Sequence, residues 1–133
     1  MNNKTPLSDL FRQYFHLSEF DSPDEPGSGE SMDFDFLNKL AIARDYADTP
    51  FIINSGYRTV QYNKDLIARG FKASKNSTHT LGLAVDISAK TDRQRFLILN
   101  ALFRVGFQRI GISETFIHVD DDKQKTRNVA WMY

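Results

Sequence analysis

The chain has no cysteine among its 133 residues, which excludes disulfides and thiolate metal sites. Neither sign of charge is in excess. Seventeen basic and seventeen acidic side chains cancel, so there is no electrostatic case for nucleic acid or an anionic membrane as partner. No apolar run approaches the length of a transmembrane span, which argues against membrane insertion. The first ten residues hold no apolar stretch of signal-peptide length. Read as it stands, the chain is made and left in the cytoplasm. Internal repeats and long low-complexity tracts are also missing. What remains is a chain long enough for one compact domain with a real core and too short for two. Its 41% apolar and 26% charged residues suit a soluble globular protein.

The pattern of apolar residues outlines the elements. Residues 7–14 place Leu7, Leu10, Phe11 and Tyr14 on one helical face. Residues 21–30 are acidic and hold two of the four prolines. They read either as a solvated connection or as the rim of a site. Phe34, Leu37, Leu40, Ala41 and Arg44 mark an amphipathic helix over residues 33–48, stopped by Pro50. Residues 51–54 read as a buried strand that leaves through a turn at Ser55 and Gly56. Thr59 caps a helix that carries Tyr62, Leu66 and Ile67 and ends at Gly70, and a polar loop follows. Over residues 83–88, Leu83, Val85 and Ile87 face one way while Ala84, Asp86 and Ser88 face the other. A capping-box pattern from Thr91 to Gln94 opens a helix with Phe96, Leu97, Leu99 and Phe103, and Gly106 closes it. Residues 107–113 and 115–120 read as strands around a short turn, and residues 129–133 as a last strand. Helices and strands mix without regular βαβ alternation, so the expected class is α+β with a largely antiparallel sheet.

Two segments carry chemistry. The first places His79 and Asp86 seven positions apart, with Gly82 between them to permit a bend. The second is Phe-Ile-His-Val-Asp at residues 116–120. As a strand it puts His118 and Asp120 on one face and Ile117 and Val119 on the other. If the two strands are neighbours, Asp86 and His118 meet above one face and His79 reaches in from the preceding loop. Two imidazoles and a carboxylate are a ligand set suited to catalytic zinc, with a position left open for an activated water. A general base must then help move a proton, and Asp120 and Glu114 are the candidates. Spacing alone also fits structural histidines and a carboxylate that accepts backbone hydrogen bonds. His16 fits no constellation and reads as structural.

Ser77, His79, Gly82, Ala84 and Asp86 form the pattern Ser-x-His-x-x-Gly-x-Ala-x-Asp. It resembles the motif of the zinc D-alanyl-D-alanine carboxypeptidases. These share their fold with L-alanyl-D-glutamate endolysins, the vancomycin-resistance D,D-dipeptidases and the Hedgehog signalling domain. Ile53, Asn54, Ser55, Gly56, Tyr57 and Arg58 look like the family's strand and its Ser-Gly-Tyr-Arg continuation. Gly106, Phe107, Gly111 and residues 116–120 resemble its C-terminal ligand segment. The resemblance covers residues 20–133 and is nearest to the small single-domain branch of phages and prophages. Residues 1–19 are then a helical extension of a single domain, 1–133.

The resemblance implies a Hedgehog/DD-peptidase-like fold, with helices packed on one side of the sheet. It implies one zinc per chain on His79, Asp86 and His118. Arg58 would steady substrate and the developing oxyanion, which suits a permanently charged guanidinium; otherwise it makes a surface salt bridge. Ser77 would hold its loop or hydrogen-bond substrate, and Tyr57 belongs either to the core or to the pocket. One departure stands out. Related enzymes place their base as Glu-x-x-His or His-x-His, but here those positions are Thr115 and Phe116. Glu114 is displaced by one residue, which reverses its face in a strand, so Asp120 is favoured.

The implied function is a zinc peptidase acting on the peptidoglycan stem peptide as a monomer. It would be D-alanyl-D-alanine carboxypeptidase-like or endolysin-like, with attack by a zinc-activated water. The altered base motif also admits an inactive zinc-binding domain that binds peptidoglycan or a protein partner. A cell-wall substrate and a chain with no export signal are reconciled by phage-type release.

Overall fold

The computed structural model describes residues 5–133. Residues 1–4, part of the stretch read for a signal segment, lie outside the described residues.

Side-chain oxygens set the start of each helix. Ser8 caps α1 (Asp9–Tyr14), Asp33 caps α2 (Phe34–Ala47), Thr59 caps α3 (Val60–Ala68) and Thr91 caps α4 (Asp92–Arg104). Each accepts from a main-chain N–H of the first turn, an interaction that stabilises a helix by about 1 kcal/mol. The five strands are β1 (Ile53–Ser55), β2 (Ala84–Ser88), β3 (Arg109–Ile112), β4 (Phe116–Asp120) and β5 (Val129–Met132). They form one sheet in the order β1-β2-β4-β3-β5. Every neighbouring pair is antiparallel except β3 with β5. The fold is therefore α+β with a mostly antiparallel sheet, as the mixed pattern predicts. β1 starts later than the apolar run suggests. Phe51 is buried ahead of the strand and Ile52 is 60% exposed, so the run alternates instead of being buried throughout.

Strand alternation divides the sheet into two unlike faces. Val85 and Ile87 of β2, Ile110 of β3, and Ile117 and Val119 of β4 are fully buried. They join Phe36, Leu37 and Leu40 of α2 and Ile98 and Leu102 of α4 in one core. Each such side chain contributes roughly 1.5–3 kcal/mol by leaving water. Phe11, Phe15 and Phe20 belong to the same core, with ring centroids 5.4, 5.9 and 5.3 Å apart. The N-terminal segment thus contributes to the central packing.

A transverse row of paired residues crosses the middle of the opposite face. Ser55 pairs with Asp86, Asp86 with His118, His118 with Gly111, and Gly111 with Trp131. One residue from each strand stands in this row, and it positions the site.

The acidic loop at residues 21–30 does not form a rim. The Asp21 carboxylate accepts the N–H groups of Gly27 at 2.9 Å and Gly29 at 2.7 Å. Asp24 accepts from the hydroxyls of Ser22 at 2.5 Å and Thr59 at 2.7 Å. Both carboxylates are taken up by the loop's own donors and the start of α3. None of residues 21–30 lines the cleft described next.

Candidate metal centre

His79 sits on a short 3-10 turn, Thr78–Leu81. The Ser77 hydroxyl caps this turn by accepting the His79 N–H at 3.2 Å. Gly82 ends it at φ +71°, where a Cβ would press on the main chain of Ser31 and Met32. This geometry drops the His79 ring over the transverse row. Its Nε2 lies 3.4 Å from Asp86 Oδ1, and His118 Nδ1 lies 2.9 Å from the same oxygen. Donor atoms of all three residues fall within 4.8 Å of one another.

The outer nitrogen of each imidazole already has an acceptor. His79 Nδ1 donates to the Gly56 carbonyl at 2.8 Å. His118 Nε2 donates to Asp120 Oδ2 at 2.7 Å. A carbonyl and an ionised carboxylate can only accept, so in the neutral rings the lone pairs face Asp86. Two imidazole lone pairs and a carboxylate then converge, an arrangement that a divalent cation satisfies. The 3.4 Å separation matches the edge of a tetrahedron with bonds of about 2.0–2.1 Å, and the 2.9 Å separation is shorter than that edge. The residues fit the metal that their donor types suggest.

The electrostatics agree with this charge arrangement. Burial alone would raise the Asp86 carboxyl, but hydrogen bonds with His118 and His79 outweigh it and hold the pKa well below the carboxylate range. Burial likewise opposes ionisation of Asp120, and its contacts with His118, the Asp122 N–H and Arg109 bring its pKa below normal. Burial lowers the pKa of His79. At His118 burial acts in the same direction, but the hydrogen bonds to Asp120 and Asp86 prevail and raise the pKa. Without metal, a second proton on His118 can fill its gap to Asp86. A divalent cation displaces that proton.

The remaining expected residues divide. Arg58 Nη2 stands 3.6 Å from Asp86 Oδ2. Its Nε donates to Ser55 Oγ at 3.1 Å and its Nη1 to Asn63 Oδ1 at 3.4 Å. It is therefore no surface salt bridge: its side chain is 13% exposed and belongs to the cluster. Ser77 lines the cleft beside it. Tyr57 does not, since its ring packs against the core.

Asp120 does not have the freedom expected of a base. Its Oδ2 holds His118, while its Oδ1 accepts from Arg109 Nε at 2.7 Å and the Asp122 N–H at 3.1 Å. It stands at the His118 nitrogen turned away from Asp86. Glu114 is exposed in the β3–β4 turn and lines a neighbouring cavity instead of the cleft itself.

The cleft has a volume of about 270 Å³. Sequence reasoning missed much of its wall. Trp131 and Tyr133 arrive on β5, and the Trp131 ring centroid lies 5.6 Å from that of His118. Gly111 makes this possible, because a Cβ there would lie 2.8 Å from Trp131 ring atoms. Lys72, Arg109 and Lys125 add positive charge to the wall. The apolar alternation of residues 129–133 was a signal for β5, but nothing local placed it beside β3. The buried Asp122 was also missed. It accepts from the Thr78 hydroxyl at 2.9 Å and so ties the His79 turn to the end of β4.

No curated protein matches the chain. The family model described as Peptidase M15 matches residues 14–120, well over half of the chain, a span that holds His79, Asp86 and His118. The match and the His-Asp-His geometry lead to one conclusion: the chain belongs to the Peptidase M15 family.

Proposed function

We propose that this chain is a zinc-dependent peptidase that hydrolyses a peptide bond in the peptidoglycan stem, close to D-alanine. The observation that carries the reading is the convergence of His79 Nε2, Asp86 and His118 Nδ1, with both outer imidazole nitrogens already held by acceptors. Family membership supports the reaction type. Zinc on such a set supplies a Lewis acid and makes water acidic enough to react near neutral pH.

The chain's own residues do the remaining work. Arg58, fixed by Ser55 and Asn63, holds a permanent charge at the edge of Asp86, where a substrate carbonyl oxygen gains charge. Ser77 accepts the His79 N–H, which leaves its hydroxyl proton free to donate to substrate. Asp120 is a positioning residue. It fixes the His118 tautomer and raises the basicity of the ring. Glu114 has no side-chain hydrogen bond or ion pair among the described residues, and it can act as base if residues 113–115 close over the cleft. The same proposal makes the protein a monomer that reaches the cell wall by phage-type release. No described helix is long and apolar enough to cross a membrane.

The test is hydrolysis of a stem pentapeptide by the zinc-loaded protein, with and without chelator. Chelator-sensitive release of D-alanine or a shortened stem is the expected result. Glu114→Ala should abolish turnover with metal retained. Unchanged turnover removes Glu114 from the mechanism. A second reading is an inactive zinc-binding domain. It is favoured by one observation: among the described residues, no carboxylate beside the cluster is free of other partners. One zinc per chain with no cleavage of any stem peptide would select it.

A further inference from the structure

Tyr133 has no part in the chemistry described so far, yet its hydroxyl stands beside the cluster. Its N–H donates to the Ile112 carbonyl at 2.9 Å, which continues the pairing of β5 with β3 and puts its ring on the same face as Trp131. The ring centroid is 5.1 Å from that of Phe116 and 6.4 Å from that of Trp131. Gly111 lets it come close to the transverse row: a Cβ there would lie 2.7 Å from Tyr133 Cε2. Gly111 pairs with His118, so the edge of the phenol ring lies over the position next to a histidine of the cluster.

The neighbours of the hydroxyl set its state. The Trp131 indole N–H can only donate, and it hydrogen-bonds the phenol. The phenol oxygen is therefore the acceptor, and its own proton has no acceptor among the described residues. Desolvation raises the Tyr133 pKa, the Asp86 and Asp120 carboxylates raise it further, and Arg58 acts the other way. The hydroxyl thus keeps its proton at neutral pH and lies within electrostatic reach of the cluster. The residue is 58% exposed and so is open to a bound molecule.

Strand order fixes the side on which it stands. The sheet runs β1-β2-β4-β3-β5. Arg58 is anchored to Ser55 of β1, and Tyr133 lies over Gly111 of β3. Asp86 of β2 and His118 of β4 stand between them. A permanent cation and a neutral donor therefore flank the cluster, and a carbonyl oxygen that gains charge between them can accept from both.

Building on the peptidase reading, we infer that Tyr133 is a catalytic residue of that reaction: its hydroxyl donates a hydrogen bond to the scissile carbonyl oxygen as charge develops there, across the cluster from Arg58. No proton is transferred. The bond strengthens with the charge on the oxygen, so it acts mainly in the transition state.

Tyr133→Phe removes the hydroxyl and keeps the ring. In the zinc-loaded protein it should lower kcat on a stem pentapeptide about 100-fold with KM little changed. Affinity for a phosphinate analogue of D-alanyl-D-alanine gives a readout independent of turnover, because its charged tetrahedral oxygen imitates the reacting carbonyl. The variant should bind it about 100-fold more weakly, with zinc content unchanged. In the metal-free protein the emission of Trp131, the single tryptophan of the chain, should shift on the same substitution, since the indole loses its acceptor. Unchanged emission would remove the hydrogen bond that orients the phenol, and the inference with it. Tyr133→Leu tests a ring that only shapes the wall: turnover kept in Tyr133→Phe and lost in Tyr133→Leu would overturn the inference and leave a peptidase. Equal phosphinate affinity in wild type and Tyr133→Phe would do the same. A wild type that neither cleaves the pentapeptide nor binds the phosphinate would sink the peptidase reading together with the inference.

Discussion

His79 and His118 offer the same kind of lone pair to a metal, but they are held by opposite kinds of partner. His79 rests on the Gly56 carbonyl, a neutral main-chain group. That carbonyl stays in place because the Tyr57 N–H donates to the Phe20 carbonyl at 2.8 Å and the Arg58 N–H donates to the His79 carbonyl at 3.1 Å. His118 rests on Asp120, an ionised side chain that is itself held by Arg109. The position of His79 is thus a property of packing, whereas the basicity of His118 is a property of charge. Damage to the two supports should have different signatures.

The largest effect comes from removing the residue that both histidines face. Asp86→Ala should lower metal affinity by more than about 100-fold, beyond the range for outer partners, and abolish hydrolysis. Metal content by mass spectrometry checks this, and a full zinc complement would refute the assigned ligand set. Next is the charge support. Asp120→Ala should weaken metal binding about 10–100-fold. Asp120→Asn should recover part of that loss, because its amide oxygen still accepts the Nε2 proton. Competition with a chelator measures both, and equal loss in the two variants would count against a positioning role.

The packing support should fail differently. A Cβ at Gly56 would lie 2.7 Å from Phe20 Cα and 2.9 Å from its carbonyl oxygen. Gly56→Ala should cost about 1–3 kcal/mol of stability, as overpacking does, and weaken metal binding as the carbonyl moves. Urea unfolding of the metal-free protein separates the two effects. A stability loss in Asp120→Ala as large as that in Gly56→Ala would erase the distinction between the supports. The smallest effect concerns the loop behind Gly56. Hydrogen bonds from Ser22 and Thr59 lower the Asp24 pKa, so its contribution to stability is present above the unfolded carboxylate value of about 4 and lost as pH falls through the lower folded value. Wild type and Asp24→Asn should differ at pH 7 and converge in acid. A gap independent of pH would assign the effect to something other than this ionisation.

Much of the fold was legible locally. Thr59 and Thr91 announced their helices because a side-chain acceptor before an apolar face satisfies N–H groups that the helix leaves open. Alternation in residues 83–88 and 116–120 separated core from site because strand side chains point in opposite directions in turn. The convergence of His79, Asp86 and His118 followed from the Ser77–Asp86 pattern and the His118 strand. The use of the acidic loop was not legible, since composition does not say whether a carboxylate meets solvent or its own backbone. Nor was the occupation of Asp120. Its sharing of a face with His118 was plain, but Arg109 lies eleven residues away in sequence and reaches it only because β3 pairs with β4.

Short-range order was therefore enough to name the elements, their inward faces and the residue types that converge in a group able to hold a metal. Strand order and register did the rest. They aligned Ser55, Asp86, His118, Gly111 and Trp131 across five strands, bringing Arg58 and an aromatic wall to one cleft. Pairing between distant segments depends on how whole faces bury against each other, and no local window of the chain contains that information.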